Sequence, residues 1–246
     1  MDLSNPPFLP KRDRALDLLK WLAMLSMLLD HLRYVGLALD VLYVPGRLAF
    51  AWFCLAIAAN LARRSAAEIG PRVRWRYLGW MVAFSALSEL PYRLFMPDAQ
   101  TLNVMPTLLL GLLVAQGWRQ RMVATRSMAF AAVLLGALLQ QHLMFGFAGV
   151  MLPLVMLMVL QRPKWLALFP AVLCVIANAW QDMLAGIGWG DPLSIGALLV
   201  CLLAPLAGLA LLGSKPGFKV WPMRRWAYAI YPAHFVLLWG IRQILE

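Results

Sequence analysis

The sequence predicts an all-α, polytopic membrane helix bundle: one domain over residues 1–246, about nine transmembrane helices, N-terminus cytoplasmic. Three observations predict it. First, 63% of the 246 residues are hydrophobic, 13% are charged, and the mean hydropathy is +0.73. Soluble domains run at about 45–50% apolar and about 25% charged, so this chain has too much apolar surface to hide in one globular core. Second, apolar runs of about 20 residues, the length that crosses a bilayer, use up most of the chain. Third, the basic residues fall in short clusters between those runs, on alternate sides.

The runs are 15–33, 46–62, 75–95, 103–118, 127–145, 147–160, 165–182, 193–212 and 225–244. The fifth and sixth are the weakest. Gly146 and Gly149 lie around their junction and the sixth is short, so a re-entrant pair is the alternative there. All but four of the 22 basic residues fall on the N-terminal side of this alternation; the four are Arg33, Arg47, Arg93 and Arg242. The opening segment Met1–Arg14 is polar and has no apolar core, so it does not read as a cleaved signal. The positive-inside rule then puts the N-terminus in the cytoplasm and the C-terminus outside, in the periplasm if the chain is bacterial. The same clustering argues against nucleic acid as the partner of the +11 net charge. Cys54, Cys174 and Cys201 all sit inside apolar runs and read as core residues.

Ionisable residues within spans are costly and default to a functional hypothesis. Here they gather on five helices. The first carries Asp17, Lys20, Asp30 and His31; the second opens at Arg47; the third carries Glu89 and Arg93 around Pro91; the fourth begins at Asn103; the ninth carries Tyr231-Pro232-Ala-His234. The orientation puts most of them between the midplane and the outer face. Lys20 and His31 are separated by about 16 Å along their helix and lie within about 20° of one face. That face pairs a cation near the cytoplasm with an imidazole in the outer half. An extended thioester with an anionic head spans such a distance.

A neutral imidazole suits general-base work, and a carboxylate can orient it. The pair Asp30-His31 therefore reads as a catalytic pair, or as buried polar groups bonding to neighbouring helices. Arg47 and Glu89 read as an interhelical ion pair or as part of a site. Arg93 reads as a snorkelling surface residue. Asn103 is either a helix cap or a site residue, and Pro232 leaves a kinked polar spot beside His234. Asp17 and Lys20 fit an i, i+3 salt bridge, and His142 falls in a loop. The chain carries no Gly-rich phosphate loop, serine elbow or Cys/His metal spacing.

Several stretches together resemble the TraX family, the membrane acetyltransferases named for N-acetylation of conjugative pilin. They are Leu18-Leu-Lys20 through Asp30-His31, Gly46-Arg47-Leu-Ala-Phe50, Ser88-Glu89-Leu-Pro91-Tyr92, Asn103-Val104 with Thr107 to Gly111, and Tyr228 with Tyr231-Pro232 and His234. They keep their order along the whole chain. Ala51-Trp52 stands where the family pattern has a proline, and Ala59-Asn60 where it has a small glycine; both departures bear on the acceptor pocket. The resemblance implies an acetyl-CoA-dependent transmembrane acyltransferase of the inner membrane. Its partners would be acetyl-CoA, the bilayer and a pilin-like protein or other envelope acceptor. It implies a catalytic role for His31. Taken with the polar zone, the expected catalytic residues are His31, Asp30, Arg47, Glu89 and His234, the expected cofactor contacts are Lys20, Asn103 and Tyr231, and no metal is expected. Direct transfer and an acyl-histidine intermediate both fit. The other readings are an O-acetyltransferase of an envelope glycan, a proton-coupled transporter with the buried charges as a relay, and a non-catalytic assembly subunit.

Overall fold

The computed structural model describes residues 13–63, 75–120, 122–161, 166, 168–223 and 225–245. Lys11, Arg12, Arg64, Arg72, Arg74, Arg121, Arg162, Lys164 and Arg224, half of the basic set that fixed the orientation, lie outside the described residues.

The described chain is helical, with one isolated parallel bridge, Leu102 to Leu143. Helix α1 runs Arg14–Leu32 and is capped by Asp13, whose carboxylate accepts from the Leu16 N–H at 3.1 Å. A 3-10 turn at Asp40–Leu42 leads into the one-turn helix α2, Tyr43–Gly46, and then α3, Leu48–Ala62. Helices α4, Trp75–Phe95, α5, Val104–Gln120, α6, Val123–Leu138, and α7, Gly146–Leu160, follow. Then come α8, Leu168–Ala177, α9, Trp180–Gly188, α10, Pro192–Gly213, a 3-10 segment at Arg225–Ala229, and α11, Ile230–Leu245.

Most of the expected runs hold such a helix. Two differ. The fifth run, expected at 127–145, is a helix only to Leu138, after which 139–145 turn and pair back on Leu102. The stretch 127–160, read as two spans or a re-entrant pair, holds two helices joined by that turn. The break falls instead in the seventh run, where α8 and α9 meet at 84°. At that corner Ala179 has φ of 55°, in the left-handed region where a side chain is unfavourable. Among the described residues, two helical runs are long and apolar enough to cross a membrane, Asp40–Ala62 and Pro192–Gly213, or three if the bent pair is one span. Helices α6 and α7 are apolar but shorter. The polar residues of α1 and α4 lower the hydropathy of helices that are themselves 19 and 21 residues long.

Side-chain contacts fix the direction of neighbouring helices. Arg63, past the end of α3, lies 3.5 Å from Asp13, before α1, while Arg47, before α3, meets Asp30 near the end of α1. These two helices are therefore antiparallel. Helix α11 runs with α1: Trp226 lies against Trp21, and His234 against His31. The end of α4 meets the start of α5 through Glu89 and Asn103. We refer below to the Asp13 end and the Asp30 end of the bundle.

The core centres on α1 and α3, where Leu16, Leu19, Cys54 and Leu55 are fully buried. Alanines 49, 51, 56, 58 and 59 on α3 let neighbouring backbones come close. Glycines stand at several close approaches between helices, among them two in the core. A Cβ on Gly111 would lie 2.7 Å from Pro153 of α7, and one on Gly208 2.6 Å from Leu55. Trp52 seats on that second spot, and its indole N–H donates to the Ala204 carbonyl at 2.9 Å. The departure at Ala51-Trp52 thus packs α3 on α10. Helix α10 opens with Asp191 as its cap; bonds from the Ser194 hydroxyl and from the Ser194 and Leu193 N–H groups hold its carboxyl below the usual range. Large apolar side chains such as Leu87, Leu90, Phe130, Leu203 and Leu237 are exposed, and apolar faces of this kind suit a lipid environment.

Candidate active site

The polar residues expected at one zone are there, but they sort into three linked groups. The first is built on the α1–α3 corner. Asp30 accepts from Arg47 Nη2 at 2.9 Å and lies 3.2 Å from Arg33 Nε. Arg47 also donates through Nη1 to Asn178 Oδ1 at 3.0 Å and through Nε to the Tyr43 carbonyl at 3.3 Å. Its guanidinium lies over the Tyr43 ring at 4.3 Å, and Arg33 stacks on Tyr34 and Tyr43. Asn178 donates to the Cys174 carbonyl at 2.7 Å, in the last turn of α8. The helix break therefore gives Arg47 its seat.

Gly46 makes this approach possible. A Cβ there would fall 2.5 Å from Asp30 Cβ and 2.6 Å from its Oδ1. Ser26 holds the same corner by donating to the Pro45 carbonyl at 2.6 Å. Gly46→Ala is expected to lower stability by about 1–3 kcal/mol, the usual cost of overpacking. Thermal unfolding of the purified variant checks this; an unchanged midpoint would show that the corner has slack.

The second group lies between α4 and α5. Glu89 accepts from Arg93 Nε at 2.8 Å, from the Asn103 N–H at 3.0 Å and from Asn103 Nδ2 at 2.7 Å. Asn103 also donates to the Ser85 carbonyl and accepts from the Met105 N–H at 2.9 Å, so it caps α5. Arg93 donates to the Ala99 carbonyl as well. The Val104 N–H donates to Tyr231 Oη at 3.2 Å, which ties α11 into the group.

The expected Arg47–Glu89 ion pair does not form: Arg47 pairs with Asp30, and Glu89 with Arg93. Arg93 is a partner in this group, not a free snorkelling cation. Lys20 and Asp17 do stand 4.0 Å apart as the i, i+3 spacing implies. His142 is exposed in the turn after α6, where its carbonyl accepts from the Leu102 N–H.

The third group is the histidine pair. His31 Nδ1 lies 2.9 Å from the Met27 carbonyl and 3.3 Å from His234 Nε2; His234 Nδ1 lies 3.3 Å from the Ile230 carbonyl. Carbonyls accept only, so the neutral rings carry their protons on Nδ1. His31 Nδ1–H is then forked between Met27 and the lone pair of His234. His31 Nε2 has no hydrogen-bond partner among the described residues and is the basic nitrogen of the pair. The expected orienting role of Asp30 is corrected here. Adjacent helical residues diverge by about 100°, and Asp30 turns to Arg47 while His234 takes the place behind His31. Phe95 and Phe235 wall the pair at centroid distances of 6.3 and 5.0 Å from His31.

A cavity of about 340 Å³ extends from Lys20 and Asn60 to Val104 and Tyr231. Lys20, Asn60, Gln116, Gln120 and Tyr228 supply its polar lining, and Met24, Phe53, Met105, Leu108 and Leu112 its apolar wall. Tyr231 and Val104 belong to the lining too. Of the three residues expected at a cofactor, Lys20 and Tyr231 line this cavity and Asn103 does not. The second departure, Ala59-Asn60, contributes Asn60 to this lining. Sequence reasoning missed Gln116, Gln120 and Asn178. The signal for Asn178 was present: it is the one polar residue of the run 166–180, which is otherwise apolar.

Apolar outer faces around a polar, partly hollow interior define a helical membrane protein. The chain belongs to the TraX family: the family model described as TraX protein matches residues 15–242, nearly the whole length. No curated protein and no solved structure matches it.

Proposed function

We propose that this protein is an integral membrane acetyltransferase that moves an acetyl group from cytoplasmic acetyl-CoA to the N-terminal amine of a pilin subunit. The observation that carries the reading is the histidine pair: His31 Nε2 has no hydrogen-bond partner among the described residues, and the buried His234 behind it stands one helical turn beyond the cavity residue Tyr231, although neither histidine lines the cavity itself. Family membership supports the pilin connection.

In this reading the bundle crosses the bacterial cytoplasmic membrane about nine times with the N-terminus inside, so the Asp13 end faces the cytoplasm. The antiparallel order of α1 and α3 is in keeping with it. The cavity chemistry fits the donor. Apolar walls suit the pantetheine arm, Asn60, Gln116 and Gln120 suit its amides, and Lys20 suits a phosphate at the mouth. Acetyl-CoA supplies a thioester carbonyl, an electrophile that carries the acetyl group with a good leaving group.

The protein's own part is proton handling and positioning. His31 Nε2 takes a proton from the attacking amine as the C–N bond forms. The resulting imidazolium is stabilised by its Nδ1–H bonds to Met27 and His234. As the C–S bond breaks, His31 returns that proton to the thiolate of coenzyme A. Asp30, Arg47 and Glu89 act as positioning groups, since each is held by two or more neighbours.

The test is the intact mass of the pilin subunit from cells with and without this protein. The expected result is a subunit heavier by one acetyl group, with the modification at its N-terminus, only when the protein is present. Equal masses in both strains would refute the pilin as acceptor.

A further inference from the structure

Acyl transfer places negative charge on the carbonyl oxygen of the thioester, and a preorganised donor at that oxygen is commonly the largest single contribution to catalysis. The obvious donors are engaged. Arg47 is held by Asp30, Asn178 and Tyr43. Both Asn103 N–H groups go to Glu89 and Ser85. His234 directs its one proton to Ile230.

Tyr231 differs. Its ring is buried at 7% exposure, it lines the cavity, and its oxygen accepts from the Val104 N–H at 3.2 Å. Its own O–H proton has no acceptor among the described residues. A phenol that accepts one backbone N–H is fixed in direction and made a better donor. Its ring centroid is 5.5 Å from that of His234, which is 4.9 Å from that of His31. The donor and the base are thus joined through one side chain.

The geometry points to Tyr231 as the hydrogen-bond donor to the thioester carbonyl oxygen, a catalytic residue that stabilises the oxyanion while His31 moves the proton. This rests on the acetyltransferase reading above. As the amine nitrogen bonds to the carbonyl carbon, the π pair moves to oxygen, and the Tyr231 O–H shortens its bond to it. When the C–S bond breaks, the pair returns and the sulfur leaves as coenzyme A thiol, with the proton delivered by His31. Tyr231 keeps its proton throughout.

The test compares full-length wild type with Tyr231→Phe, using acetyl-CoA and a pilin subunit with a free N-terminal amine. The expected result is a kcat lower by about 10²–10³-fold with the KM for acetyl-CoA nearly unchanged. A kcat equal to wild type, or a rise in KM alone, overturns the assignment. An inactive wild type overturns both this and the acetyltransferase reading; an active wild type beside an equally active Y231F overturns this one alone. The second measurement does not depend on turnover. With His31→Ala as background and carbonyl-¹³C acetyl-CoA bound, the infrared carbonyl stretch should lie at lower frequency when Tyr231 is present than in Tyr231→Phe. Equal frequencies contradict the hydrogen bond.

Discussion

Replacing His31 with alanine is expected to lower acetyl transfer by about 10²–10⁴-fold, the usual contribution of a positioned general base. The fold should survive. His31 is half-buried, its Nδ1 bonds lie within its own helix and to one neighbour, and its Nε2 holds nothing together. The expected signature is a loss in kcat with retained binding of acetyl-CoA, because the residues lining the cavity are untouched. His234→Ala should lower kcat less, since it removes an acceptor for the imidazolium and leaves the base in place. The two are measured together by steady-state transfer and by acetyl-CoA titration. Full activity in His31→Ala would remove the histidine pair from the chemistry.

Asp30→Ala is expected to cost about 3–5 kcal/mol of stability, the range for taking one partner from a buried ion pair. Asp30 is 17% exposed at its side chain and Arg47 12%, so solvent does little to screen the loss. The asymmetry of the cluster sharpens the expectation. Without Asp30, the guanidinium groups of Arg33 and Arg47, both against the Tyr43 ring, lose the carboxylate they share. Arg47→Ala should be milder, because Asp30 keeps Arg33 at 3.2 Å. Denaturant titration in detergent separates the two. Equal costs for both variants would argue against Asp30 as the hub.

Much of this was legible in the sequence, and the reason is physical. A bilayer makes each buried charge expensive, so every such residue marks a place where helices meet. That logic located His31, Arg47, Glu89, Asn103 and His234 before any coordinates. It did not locate their partners, because helix rotation and tilt decide those. Asp30 and His31 are adjacent in sequence yet belong to different groups. Arg47 and Glu89 looked complementary yet each met another residue. The break at Asn178 was hidden by a run whose hydropathy alone reads as one straight span. Gly46 stood in a recognisable motif, but the carboxylate it admits appears only in three dimensions.

The most direct test of the account uses purified protein in one orientation in liposomes. Acetyl-CoA is supplied only on the Asp13 side and pilin subunit only on the other. The account predicts N-terminal acetylation of the pilin across the sealed membrane, absent in His31→Ala. Acetylation that occurs only when both substrates share one side, or solute uptake driven by a proton gradient with no acetylation, would contradict it.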